Sequence, residues 1–186
     1  MPRKPDPLLE LRILEAARRL YIRGGEKSLS MRALAKAARS NTPAVYRRFR
    51  NRKSILFAIL ESYQNELGAL LQPCKSPQEA AQCVLEFALA RPHEYQLVFA
   101  QLFSQAGKSR PNVEFMKVRC AEWFGGTPAD YTSLVLALWS LVHGTALLLI
   151  SKAVPEEGAQ GLRRVFSVSV DVLLNNRQVF QQPKSK

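Results

Sequence analysis

Residues 30–49 read SMRALAKAARSNTPAVYRRF, and two short helical patterns joined by a tight turn account for that order. Ser30 offers a side-chain oxygen to cap the first helix, whose inner face is Met31, Leu34, Ala35 and Ala38. Asn41 caps the second, and Pro43 fits because the first turn of a helix lacks amide partners anyway. Val45 and Phe49, four residues apart, face inward, which leaves Thr42, Ala44, Tyr46 and Arg47 facing out. A helix-turn-helix presents the start of its second helix to the major groove in this way.

The charge distribution points to the same partner. Residues 1–53 hold fifteen Lys and Arg against four Asp and Glu, leaving +11 of a whole-chain net charge of +12. A basic module on a near-neutral body implies a polyanion at one end and something else at the other. Solubility alone has no need to segregate charge.

Length and composition bound the rest. A chain of 186 residues holds one domain or a small one fused to a larger one, and 47% hydrophobic residues suffice for a packed core. Three cysteines, Cys74, Cys83 and Cys120, stand in no metal-like spacing and suggest reduced, buried thiols. Pro2, Pro5 and Pro7 interrupt a polar start with no apolar run behind it, so no signal peptide and a cytoplasmic protein are expected. Residues 134–150 are almost entirely apolar, but Ser140, His143, Gly144 and Thr145 interrupt them. The run falls short of the ~20 residues of a spanning helix. A helix buried on nearly all sides, partly by a second subunit, explains it better.

Helical spacing recurs throughout and sustained alternation is absent, so an all-α fold of about nine helices is expected. The first runs from about Pro7 to Arg23, with Ile13, Ala17, Leu20 and Tyr21 on one stripe and Gly24-Gly25 as its stop. Asn51 caps a long fourth helix that buries Ile55, Leu56, Ile59, Leu60, Tyr63 and Leu67. Ser76-Pro77-Gln78-Glu79 forms a capping box for the fifth, and Pro92 begins the sixth. After a loop at 107–111, a seventh helix carries Val113, Met116, Cys120 and Trp123 up to Gly125-Gly126. Thr127-Pro128-Ala129-Asp130 starts the eighth, which runs to about Lys152, a cation suited to a helix C-terminus. Glu156 and Glu157 open the ninth, with Leu162, Val165, Phe166, Val172 and Leu173 at its seam. Three regions follow: a basic helix-turn-helix DNA-binding module at 1–50, a helical body at 51–180, and a disordered tail at 181–186.

Phosphate and base contacts have different signatures. Arg52 and Lys53 are cations in the first turn of the fourth helix, where the dipole disfavours them, a placement that makes sense if a phosphate docks there. Ser30 and Arg32 form a similar anion seat. Thr42, Ala44 and Arg47 are the base-reading candidates: arginine suits guanine, and the two methyl groups suit thymine. An outward Tyr46 offers its hydroxyl to a phosphate. Arg39, Asn41 and Pro43 complete the DNA-binding set.

Residues 12–59 resemble the DNA-binding domain of the TetR family of bacterial transcription regulators. The resemblance rests on Ile13-Leu14-Glu15-Ala16-Ala17, Met31-Arg32-Ala33-Leu34-Ala35 and Thr42-Pro43-Ala44-Val45-Tyr46-Arg47-Arg48-Phe49, with Arg52 and Ile55-Leu56 in the fourth helix. Residues 91–99 and Leu138-Trp139-Ser140-Leu141-Val142-His143-Gly144 look like the C-terminal domain of the subgroup named for its Trp, His and Gly. The resemblance implies a homodimer, paired through the eighth and ninth helices, that binds an operator and usually a small effector. Two departures stand out. Arg39-Ser40 replaces the family's usual glycine and apolar residue, which implies a looser or differently shaped turn. Lys53 replaces a common acidic residue, adding charge where phosphate would lie.

Tyr63, Phe87, Phe99, Phe103, Met116, Trp123, Trp139 and His143 are the candidate lining of an effector cavity, for an apolar or aromatic ligand since the body offers few charges. No nucleophile–base–orienter spacing, metal cluster or glycine-rich phosphate loop is visible. No enzyme activity and no cofactor are therefore expected. The expected function is a repressor released from a pseudo-palindromic operator by its effector, the rival being a constitutive DNA-binding or architectural dimer.

Overall fold

The structure, a computed structural model, describes residues 8–97 and 111–180. Among them all regular structure is helical: α1 (Leu9–Gly24), α2 (Met31–Ala37), α3 (Thr42–Arg48), α4 (Arg52–Leu71), α5 (Pro77–Ala90), α6 (described over 92–97), α7 (Pro111–Phe124), α8 (Thr132–Ile150) and α9 (Glu156–Asn175). Short 3₁₀ turns stand at Gly25–Ser28, Pro128–Tyr131 and Arg177–Phe180. Phe99, Phe103, the loop residues 107–110 and the tail 181–186 lie outside the described residues.

The described chain forms two compact units, one of residues 8–65 with 93–97, the other of 66–92 with 111–180. The first therefore extends past residue 50, through most of α4, and takes in the start of α6. Its core is Ile13, Leu34, Val45, Ile55 and Ile59, all fully buried, with Tyr21, Phe49 and Leu97 around them. Each such aliphatic side chain contributes roughly 1.5–3 kcal/mol, against about 1 kcal/mol for a helix cap. The core fixes how the helices pack, and the caps fix where they begin. Met31 and Leu20, expected inside, lie only half-buried at its edge. The six expected core residues of α4 are all buried.

A buried ion pair ties α6 into this unit. Arg18 Nε of α1 donates to Glu94 Oε1 at 2.8 Å, and the Glu94 side chain has no exposure. Arg18 Nη1 also reaches Ser62 Oγ of α4 at 3.3 Å. Three helices thus meet on one guanidinium.

In the second unit α8 packs against α5, α7 and α9. Ser76 Oγ accepts from Glu79 N at 3.2 Å, as expected of a cap, although the Glu79 carboxylate returns to Lys75 N (2.8 Å) rather than to Ser76. Thr127-Pro128-Ala129-Asp130 forms a 3₁₀ turn closed by Asp130 Oδ2 on Thr127 N (2.8 Å), and α8 itself begins only at Thr132. Turn and helix together span Pro128–Ile150, 23 residues that include an 18-residue window of mean hydropathy 2.0, which by length and composition are enough to cross a membrane. The expectation that the run is too short is thereby corrected. Its neighbours α5 and α9 carry the cross-helix ion pair Arg163–Glu86 (2.6 Å). The seam of α9 also differs from expectation. Phe166, Val170 and Leu174 are buried, whereas Val165 and Val172 are 58% and 54% exposed. At 100° per residue Phe166, Val170 and Leu174 form one stripe, and Val165 and Val172 lie about 140–160° around the helix from its centre.

Cys74 and Cys120 are buried and Cys83 half-buried, all as free thiols; burial pushes the thiols of Cys74 and Cys120 up to about 11, so they stay protonated.

Candidate nucleic-acid interface

Two caps set the helix-turn-helix. Ser30 Oγ accepts from Ala33 N at 3.1 Å, and Asn41 Oδ1 accepts from Ala44 N at 2.9 Å. Between them Arg39 takes φ 53°, a left-handed position that favours glycine. Ser40 N donates to Ala35 O (2.8 Å) and Arg39 N to Lys36 O (3.2 Å). This is the two-bond closure that ends many helices. The expected looseness is absent: the turn keeps its regular form, and Arg39 carries the strain, about 1–2 kcal/mol for a side chain in this conformation.

The outer face of α3 is mostly as the sequence implies. Tyr46 is 54% exposed, Arg47 and Pro43 are exposed, and Thr42 is half-buried. Ala44 is the exception at 4% exposure. It lies against the protein because α2 and α3 pack closely, and a small residue at the seam permits it. Its methyl group cannot read a thymine, so the base-reading candidates reduce to Thr42 and Arg47. Ser30, Arg32, Arg39 and Asn41 are exposed around them. Arg48 and Arg50, in the same run of cations, are also exposed, a placement their sequence position alone does not single out.

The start of α4 is closed by a reciprocal pair. Asn51 Oδ1 accepts from Ser54 N at 2.9 Å, and Ser54 Oγ accepts from Asn51 N at 3.3 Å. The first turn holds no acid. Arg52 and Lys53 are exposed there but not idle. Arg52 Nη2 lies 2.8 Å from Glu26 Oε1, and Lys53 Nζ sits 5.7 Å above the Phe57 ring. Both cations remain on the solvent side, where a phosphate can exchange for these weak contacts.

Of the effector candidates, Tyr63, buried, belongs to the first unit, whereas Phe87, Met116, Trp123, Trp139 and His143 belong to the second. Trp139 and His143 stack with ring centroids 6.0 Å apart. Phe87 lies under the guanidinium of Arg91 (4.7 Å) and Trp123 under that of Arg119 (4.8 Å). Burial lowers the pKa of His143, which favours its neutral ring.

The sequence profile of bacterial regulatory proteins of the tetR family matches residues 13–59, and that of the tetracyclin repressor-like C-terminal domain matches 78–173. No curated protein is significantly similar in sequence. Among solved structures, a single-substitution variant of TetR from Acinetobacter baumannii AYE, in complex with minocycline, is 23% identical with a TM-score of 0.68, over 97% of this chain and 100% of that one. A TetR transcriptional regulator from Streptomyces coelicolor is 18% identical at TM-score 0.73, over 95% and 100%. The multidrug binding protein EbrR, complexed with imidazole, is 17% identical at TM-score 0.63, over 100% and 96%. These likenesses are of fold, and the profile matches carry the assignment: the chain belongs to the TetR family of bacterial regulatory proteins.

Proposed function

We propose that this regulator is a repressor that binds a pseudo-palindromic operator as a homodimer and releases it when a small, largely apolar effector binds. The observation that carries the DNA half is the exposed face of α3 and the α4 start, with Arg47, Tyr46, Arg52 and Lys53 set in a head that holds nearly all the net charge. Arg52, Lys53, Tyr46, Ser30 and Arg32 take phosphates; Arg47 and Thr42 take base edges; Arg39, Asn41 and Pro43 shape the approach.

Dimerisation through α8 and α9 is supported by their unpartnered apolar faces, Leu136 and Leu148 on one, Val165, Val168 and Val172 on the other. At Gly144 of α8, nothing lies within 4 Å of where a Cβ would stand. Two such heads stand ~34–36 Å apart on one face of B-DNA. The run Trp139 to Gly144 is our ground for the Trp-His-Gly subgroup, and the operator places the protein in the cytoplasm.

Support for an effector comes from the aromatic side chains of the second unit and from relatives solved with minocycline and imidazole. Because α4 runs unbroken from one unit into the other, it is the route by which a bound effector would favour a DNA-incompetent state. A constitutive dimer is the second reading, favoured by Phe87 and Trp123, whose rings already carry a guanidinium on one face.

The test is duplex binding across a salt series. Wild type should bind with a steep salt dependence, and Arg52→Ala with Lys53→Ala should weaken all sequences and flatten the slope by roughly two ions per protomer. Arg47→Ala should instead alter preference at one base per half-site. Equal effects of both changes on every sequence would overturn this division of roles.

A further inference from the structure

The three carboxylates between residues 8 and 53 all stand on arginines. Glu15 lies 3.8 Å from Arg19 along one helix, Glu10 3.7 Å from Arg48 at the end of α3, and Glu26 2.8 Å from Arg52 at the start of α4. The last two pairs take cations from either side of the α3–α4 joint, the part of the head with the densest positive charge.

Glu26 is the most firmly placed. Its turn is closed by Leu29 N on the Glu26 carbonyl (3.1 Å) and by Ser28 Oγ, 2.6 Å from Leu20 O and 2.7 Å from Gly25 O. Gly25 adopts φ 61°, which the turn requires. On the other side, the Asn51–Ser54 pair fixes the first turn of α4. Two backbones of set geometry therefore present the carboxylate and the guanidinium to each other. The field of Glu26 also helps burial raise the pKa of the Tyr21 hydroxyl.

We propose that Glu26 is an internal competitor for DNA phosphate at Arg52, and through that competition a determinant of how well the head discriminates among DNA sequences. The inference rests on the DNA-binding reading above. Both members of the pair are about half exposed, so the pair contributes little to stability and a phosphate can displace it. Displacement is worthwhile only for a phosphate seated well enough to take two guanidinium N–H groups and the free amides of α4 together. A loosely held backbone still faces the repulsion of the Glu26 carboxylate without that return. Non-specific complexes depend on charge alone, so Glu26 weakens them more than a complex locked by base contacts.

The experiment is fluorescence anisotropy of the full chain with a random-sequence duplex and with a duplex selected from a random library, over a potassium chloride series. Glu26→Gln, an exposed and nearly isosteric change, should tighten the random duplex about two- to fivefold. It should steepen the log–log salt slope by about 0.9 per protomer, with a smaller gain on the selected duplex. In an Arg52→Gln background the same change should have no effect. An indifferent or weaker-binding Glu26→Gln protein, an equal gain on both duplexes, or a gain that survives Arg52→Gln would overturn the role of Glu26 alone. Wild type that ignores both duplexes would overturn the DNA reading itself.

Discussion

Arg39 shows how backbone conformation can outrank side-chain preference. The left-handed position is set by two hydrogen bonds from the turn to the end of α2, which packs against α3. The residue type said the turn should loosen; the bonds and the packing kept it. Arg39→Gly should therefore raise stability by about 0.5–1 kcal/mol, the relief of strain less the extra unfolded-state entropy of glycine. A lower urea midpoint for that variant would contradict this. His143 offers a second residue-scale test. Its folded pKa is lowered by burial, so above the unfolded value of about 6.5 it has no effect on pH dependence. Below it, the unfolded chain takes a proton that the native ring resists, and stability falls as pH drops. Unfolding free energy measured from pH 7 to about pH 5.5 should fall less steeply in His143→Gln than in wild type. Identical slopes would show that the ring titrates alike in both states.

Among the elements, starts were more legible than faces. Ser30, Asn41, Asn51 and Ser76 all make the capping bonds their residue types announce, because a cap depends on three or four neighbouring residues. Faces depend on what packs against them, which periodicity alone does not state. Ala44 went inside because α2 lies close, and Val165 and Val172 stayed outside because α9 turns Phe166, Val170 and Leu174 inward. Glu94 was legible only as a polar residue in a helix, and its burial follows from a partner 76 residues away. That pair holds α6 against α1, and removing one member strands a buried charge. Glu94→Ala should lower unfolding stability by about 3–5 kcal/mol in chemical denaturation. A loss under about 1 kcal/mol would mean that the carboxylate is not buried against Arg18.

At the scale of the whole molecule, charge segregation was readable from composition, and it agrees with a head whose cations lie outward over an apolar core. The apolar stretch of α8 was readable too, but the length of its helical span was not, since a 3₁₀ turn extends that span to 23 residues. What covers its outer face is a property of the assembly. If α8 and α9 pair two copies, Val165→Asp with Val172→Asp should yield a monomer in sedimentation equilibrium. Duplex binding should then weaken by roughly a hundredfold or more, since each half-site contact stands alone. A dimer unaffected by both charges would place the interface elsewhere. The most direct measurement is selection of bound sequences from random double-stranded DNA by the purified protein. Two-fold related half-sites, centred about 10–10.5 base pairs apart or a multiple of it, are the predicted outcome. No enrichment, or a single asymmetric site, would contradict a paired, DNA-reading regulator.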